Sequence, residues 1–206
     1  RWQPTGNMVN VSNGMYDLDQ QRLVDHSPVY KSRSQIPTAC DQNAICERWI
    51  QFLDEVFEGD KEKALLLQEF FGYILMPTCR FEKALFLYGT GANGKSTVLK
   101  VLEEIIGRAN ICHLTLDDLS NRFQVHYLKN KMLNIAAEVD TRQRAGTEIL
   151  KMAISGDTIE GDVKYGERIT FQTNVKFVFA MNSPPVISDK THGFSRKVIV
   201  RSEEHT

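Results

Sequence analysis

Gly89-Thr90-Gly91-Ala92-Asn93-Gly94-Lys95-Ser96 fits the pattern G-x-x-x-x-G-K-[ST] at every fixed position, and its flanks decide the fold. Before it, Ala84-Leu85-Phe86-Leu87-Tyr88 is a short continuous apolar run, as in a strand covered on both faces of a parallel sheet. After it, Ser96 to Ile106 carries helical periodicity. A glycine-rich loop between strand and helix lets backbone N–H groups turn inward around phosphate oxygens, with the positive end of the helix behind them. Gly89, Thr90, Gly91, Ala92, Asn93 and Gly94 then form the cradle, Lys95 reaches the β and γ phosphates, and the Ser96 hydroxyl takes Mg²⁺, with Thr97 next on the helix. The expectation is a chain that binds ATP with Mg²⁺ and hydrolyses it.

Downstream, Lys131 to Ala137 reads as a strand, Glu148 to Ser155 as a helix, Val175 to Met181 as a strand and Lys197 to Val200 as another. Strands alternating with helices predict an α/β fold with a parallel core. A phosphate-binding loop of this kind needs an acid at a neighbouring strand end, to hold the metal's water shell or polarise the attacking water. Glu138, directly after the Ala136-Ala137 strand end, is the first choice and Asp140 the second. Asn182 follows the Phe177-to-Met181 run; it either orients water near the γ phosphate or, standing before Ser183-Pro184, initiates a turn.

Upstream, Asn13-Gly14 opens Met15 to Leu18, and Leu23-Val24 returns after a polar turn, which predicts a small hairpin. A Ser- and Pro-containing connection, Ser27 to Thr38, leads to a helix over Ala44 to Phe57 whose stripe is Ile45, Trp49, Phe52, Leu53 and Val56. A second helix spans Lys61 to Leu75 and stops at Pro77. The predicted organisation is a hairpin-plus-helical region over 1–78 and the nucleotide-binding core over 79–206, cut from a longer protein and truncated at its C-terminus.

Twenty-five Lys and Arg oppose 26 Asp and Glu for a net charge of −1, so no global basic field announces a nucleic-acid partner and any DNA contact must be local. No apolar run approaches the ~20 residues that span a bilayer, and Arg1-Trp2-Gln3-Pro4 lacks a signal-peptide layout, so the expected setting is intracellular with no membrane partner. Cys40, Cys46, Cys79 and Cys112 lack zinc-site spacing and read as reduced packing residues.

The ordered set Gly-Ala-Asn-Gly-Lys-Ser, Ala-Ala-Glu, Ile-Ser-Gly-Asp, Ala-Met-Asn and Phe-Ser-Arg-Lys resembles the superfamily-three helicase domain of phage and plasmid primase-helicases, which is related to poxvirus primase-helicases. Asn13-Gly14 and Gln68-Glu69-Phe70-Phe71-Gly72-Tyr73 are similar to that family's lead-in. The resemblance implies an AAA-like P-loop ATPase with Lys95 and Ser96 at the phosphates, Glu138 as the strand-end acid, Asn182 as sensor, Lys151 joining the ATP interface and Arg196 as an arginine finger reaching the neighbouring subunit's site. It also implies a homo-oligomeric ring, usually a hexamer, acting on single-stranded and replication-fork DNA. The stretch Asp162 to Phe171 resembles the hairpin lining the ring's pore, with Lys164 and Tyr165 facing the strand. The setting it implies is the cytoplasm of a bacterium carrying a phage, plasmid or integrated element; whether a primase domain lies upstream in the full-length protein stays open at this point.

Three departures from the family pattern stand out. Val139 separates Glu138 from Asp140, where many relatives have adjacent acids. Lys197 stands where phage members often have a second Arg, and Lys164 precedes Tyr165 with Gly166 in the place where many relatives put the lysine. Two other functions use the same loop. A P-loop phosphotransferase would act on a diffusible acceptor, and an ATP-dependent loader or scaffold would assemble without unwinding.

Overall fold

The structure is a computed structural model, and it describes residues 6–89, 93–137, 147–164, 166–182 and 195–202. The chain opens with an antiparallel meander of β1 (Met8–Val11), β2 (Gly14–Asp17) and β3 (Arg22–Val24), in which Val11 pairs with Gly14 across a tight turn. The expected hairpin is therefore its second half, and β1 is an additional strand. Helices α1 (Glu47–Phe57) and α2 (Lys61–Leu75) follow. The Asp60 carboxylate caps α2 by accepting from Lys63 N at 3.0 Å. Ile45, expected on the apolar stripe, precedes α1 and is 80% exposed, because the helix begins only at Glu47.

From residue 84 follow β4 (Ala84–Tyr88), α3 (Lys95–Ile106), β5 (Ile111–Cys112), the short α4 (Arg122–Val125), β6 (Leu133–Ala136), α5 (Glu148–Ser155), a separate antiparallel pair of β7 (Thr158–Gly161) and β8 (Ile169–Gln172), β9 (Lys176–Met181) and β10 (Val198–Ser202). Five strands pair in the order β10-β4-β9-β6-β5, every pair parallel. The fold is thus mixed α/β with a parallel five-stranded sheet and a small antiparallel hairpin region, as the alternation of elements predicts.

Alternation along the strands sorts the side chains into two cores. Leu85, Leu87, Leu133, Ile135, Val178 and Ala180 face α1, α2, α3 and the meander. Ala84, Phe86, Ala136, Phe177, Phe179 and Met181 face α4, α5 and the β7–β8 pair. Phe86, Phe177 and Phe179 are essentially inaccessible, and each buried phenylalanine contributes about 1.5–3 kcal/mol. Buried Asn134 would be costly without partners; its side chain accepts from Leu114 N at 2.8 Å and donates to Leu114 O at 2.9 Å, so it completes the sheet edge beyond β5. The meander joins one of these cores, that of α1, α2 and α3, through Val9 and Val11; Ile36, in the connection after it, bridges Val11 and is buried with them, and Asn110 Nδ2 donates to Gln35 O at 2.8 Å.

Cys79 and Cys112 are buried packing residues as expected, whereas Cys46 is exposed, since it caps the start of α1 and faces outward. No helix among the described residues is long and apolar enough to cross a membrane.

Candidate functional site

Parallel pairing sends β4, β6 and β9 to one edge of the sheet, and the glycine loop lies there. Tyr88 pairs with Met181, and Gly89 N donates to Met181 O at 3.3 Å, which ties the start of the loop to the end of β9. Gly94 begins α3 with a left-handed φ of 81°. A Cβ there would lie 2.7 Å from Val56 Cγ2 and 3.0 Å from the Phe52 ring, so α1 packs directly under the loop and only glycine fits. Phe52 is itself held by stacking on Trp49, with ring centroids 5.4 Å apart.

Lys95 is 9% exposed, and its ammonium donates to Gly89 O at 2.5 Å and Asn93 Oδ1 at 2.7 Å. Its charge therefore sits inside the turn of the loop, beside the N-terminal end of a 12-residue helix whose dipole is positive there. Ser96 and Thr97 are exposed on the first turn of α3. Thr90, Gly91 and Ala92 lie outside the described residues.

Asn182 is exposed one residue beyond β9, on the same edge as Gly89. Ala136 pairs with Phe179, so Ala137 also reaches this edge. Glu138 and Asp140, which follow it in the chain, lie outside the described residues. Among the described residues no group of three or more His, Cys, Asp or Glu side chains converges to hold a metal. A hydroxyl such as that of Ser96 nevertheless fits Mg²⁺, which keeps several waters and takes few protein oxygens beside substrate phosphates.

Arg196 is at the other edge. Val198 pairs with Ala84 and Ser202 with Tyr88, so Arg196 precedes β10 at the N-terminal ends of the strands. Its side chain is exposed and lies roughly 20 Å along the strand direction from the glycine loop of its own chain, at ~3.3 Å per residue. Its carbonyl accepts from Lys83 Nζ. The neighbouring Lys197 is 6% exposed and donates to Glu82 Oε2 at 2.5 Å and Ser155 Oγ at 2.6 Å. That hydrogen bond to Lys197 holds the Glu82 carboxyl below its usual range.

Lys151 is half-buried in α5, one turn before Ser155, whose hydroxyl donates to the Lys151 carbonyl at 3.0 Å. Lys164 is exposed in the loop joining β7 and β8; Tyr165 lies outside the described residues. The hairpin expected over Asp162 to Phe171 thus has strands at 158–161 and 169–172, with Gly161 pairing with Ile169. In its loop Arg168 pairs with Asp162 at 3.1 Å and Glu160 at 3.5 Å.

Sequence reasoning missed Lys176, which is 1% exposed at the start of β9. Its ammonium donates to Met76 O at 2.5 Å and Asn174 O at 2.8 Å and lies 5.1 Å from the Tyr73 ring centroid. Burial pulls its pKa down to about 8, with Cys79 opposing. A cavity of about 450 Å³ opens beside it at the N-terminal edge, lined also by Lys131, Arg33 and Asn7, far from the glycine loop. The only sequence signal for Lys176 was a lysine heading an otherwise apolar run.

Residues 2–58 match the model of the domain described as D5 N terminal like. In fold, the chain is similar to the apo C-terminal region of NrS-1, with a TM-score of 0.62 and 16% identity over 98% of this chain and 46% of that one. Another structure of that region, residues 305–718, gives a TM-score of 0.57 and 21% identity over 77% of this chain and 37% of the other. A 72-residue stretch is 28% identical to the uncharacterized mitochondrial protein ymf21 of Marchantia polymorpha, covering 35% of this chain and 40% of that protein. The chain spans less than half the length of each of these relatives. The D5-like match covers the meander and α1, and the likeness to the NrS-1 region shows a shared fold. Residues 87–197, from the end of β4 through the glycine loop to the start of β10, match one further family model, and the chain belongs to that family, described as a family of unknown function, DUF5906.

Proposed function

We propose that the chain is the ATPase motor of a replicative DNA helicase, a P-loop ATPase that hydrolyses ATP at subunit interfaces of a homo-oligomeric ring and draws single-stranded DNA through the pore. The observation that carries this reading is the division of the machinery between two edges of one sheet. Lys95 and Ser96 lie at the C-terminal edge, and Arg196 lies at the N-terminal edge, beyond reach of its own loop. That separation supports a role for Arg196 at the nucleotide of an adjacent subunit rather than its own.

In this reading the glycine loop and the start of α3 bind the phosphates, and Lys95 neutralises charge that grows on the γ-phosphoryl oxygens. Ser96 and the carboxylate of Glu138 would hold Mg²⁺, which supplies electrostatic stabilisation of the bridging oxygens. Glu138 also takes the proton of the attacking water, with Asp140 as the alternative acid, and Asn182 orients that water. Lys151 joins the interface from α5. Arg196 of the adjacent subunit stabilises the transition state, while Lys164 and Tyr165 contact DNA phosphates and bases.

Mixing subunits tests the division. Arg196→Ala and Lys95→Ala subunits are each inactive alone, yet a mixed ring contains interfaces where an intact loop meets an intact Arg196, and part of the ATP turnover returns. No recovery in rings shown to be mixed would sink the trans arrangement. Retained turnover in Glu138→Gln, with turnover lost in Asp140→Asn, would move the catalytic acid to Asp140.

A further inference from the structure

Arg196 is exposed, but the backbone that carries it is held from several directions. Lys83 Nζ donates to the Arg196 carbonyl, and Ala84 N donates to the Lys197 carbonyl at 2.8 Å. The Lys197 ammonium, 6% exposed, is held between Glu82 Oε2 and Ser155 Oγ. These contacts join the loop before β4, the C-terminal end of α5 and the start of β10, three segments far apart in sequence. Glu82 adopts a left-handed φ of 50°, uncommon for a side chain of its kind, and Glu82 N donates to Cys79 O at 2.8 Å to close the turn that presents the carboxylate. A surface ion pair adds little by itself, but a buried ammonium with two fixed acceptors determines where its own backbone can lie.

Resting on the reading of Arg196 as a finger acting in trans, we infer that Glu82, Lys197 and Ser155 form a brace that positions Arg196 for the neighbouring subunit's ATP. The three are positioning residues that touch no nucleotide. Lys197 faces inward and takes no part in charge stabilisation. A guanidinium contributes to the rate only when delivered to the developing charge, and a displacement of about 1 Å can cost about a hundredfold in rate. The brace supplies that fixity to a side chain that is itself exposed.

The test uses the full chain in mixed rings of Lys95→Ala subunits, which donate Arg196, and Arg196→Ala subunits, which accept it. Glu82→Gln is placed in one kind of subunit at a time, and ATP turnover and KM are read. In the donor subunit the recovered kcat falls at least about tenfold with KM unchanged; in the acceptor subunit it stays within about twofold. Equal losses in both positions would make the brace a general support of the fold, and no loss in either would remove it altogether. If the pair recovers nothing before Glu82 is touched, the trans reading itself fails, and the brace with it. Should Glu82→Gln not fold, Ser155→Ala, which leaves the ion pair in place, is read by the same donor–acceptor asymmetry, with an expected donor loss of about threefold.

Discussion

Lys95 and Lys176 sit at opposite edges of the same sheet, both buried, each with an ammonium that donates to two oxygens of the protein. The partners of Lys95 are Gly89 O and Asn93 Oδ1, both in the loop that the lysine ends. Those of Lys176 are carbonyls at Met76 and Asn174, which tie the end of α2 to the start of β9. In the proposed function, one lysine is held by a loop that exchanges those oxygens for phosphate. The other is held by the frame. Burial alone therefore does not mark a functional lysine; what its partners belong to does.

The largest expected effect separates the two by rate. Lys95→Ala should lower ATP turnover by about 10³ or more, since it removes charge stabilisation of the transferring phosphoryl group, while leaving the melting temperature nearly unchanged. Lys176→Met should do the reverse. Similar losses of turnover in both variants would break the comparison.

The next effect is in stability against pH. Folded Lys176 loses its proton near pH 8, whereas the unfolded chain keeps it to about 10.5. Between those values the unfolded state binds more protons, so Lys176 makes stability rise with pH, by about 3 kcal/mol over the whole window. Cys79, whose pKa burial raises above 9.0, and Tyr73, also raised by burial, oppose that rise at the upper end. The difference between wild type and Lys176→Met isolates the lysine. Urea unfolding at pH 7.5, 8.5 and 9.5 should show the gap between the two proteins moving in favour of wild type as pH rises. A constant gap would mean that Lys176 is charged to the same degree in both states.

Much of this contrast was legible before the fold was known, and the reasons are local. The glycine loop announces itself because its chemistry is contiguous: strand, cradle, lysine, hydroxyl and helix occupy residues 84–106. The continuous apolar runs of β4 and β9 were equally plain, since both faces are covered. The brace around Arg196 was not, because Glu82, Ser155 and Lys197 meet only through the β10–β4 pairing. Nor was β1, whose Met-Val-Asn-Val is too short to show a period. Ile45 misled for the opposite reason: it continues the stripe of α1 in sequence, but the helix has not yet begun.

A smaller stability effect sharpens the account of the loop. Gly94→Ala places a Cβ 2.7 Å from Val56 Cγ2 at a φ of 81°, so it should cost about 1–3 kcal/mol and disturb nucleotide binding together with α1 packing. Gly72, with nothing within 4 Å of an added Cβ and an ordinary place in α2, is the control; Gly72→Ala should be neutral or slightly stabilising. Equal effects at the two glycines would mean that α1 does not constrain the loop.

The smallest effect lies in the β7–β8 loop, where two basic residues make the same comparison in miniature. Arg168 is paired with Asp162 and Glu160 inside the hairpin, and Lys164 stands in the joining loop, where the proposed function places the DNA contact. A cation already paired with carboxylates adds little to phosphate binding, because the attraction gained at the strand is offset by the pair given up. A cation that meets a phosphate displaces a condensed counterion, and that release appears as salt dependence. For single strands the slope of log affinity against log salt changes by about 0.7 per contact, so Lys164→Ala should flatten the slope by about that amount in assembled rings, with affinity falling most at low salt. Arg168→Ala should leave the slope nearly unchanged and lower affinity, if at all, uniformly across salt, since its loss loosens the hairpin rather than removing a phosphate contact. The opposite pattern, a flattened slope for Arg168→Ala and an unchanged one for Lys164→Ala, would transfer the DNA contact to the arginine and require its pairs with Asp162 and Glu160 to open when the strand binds.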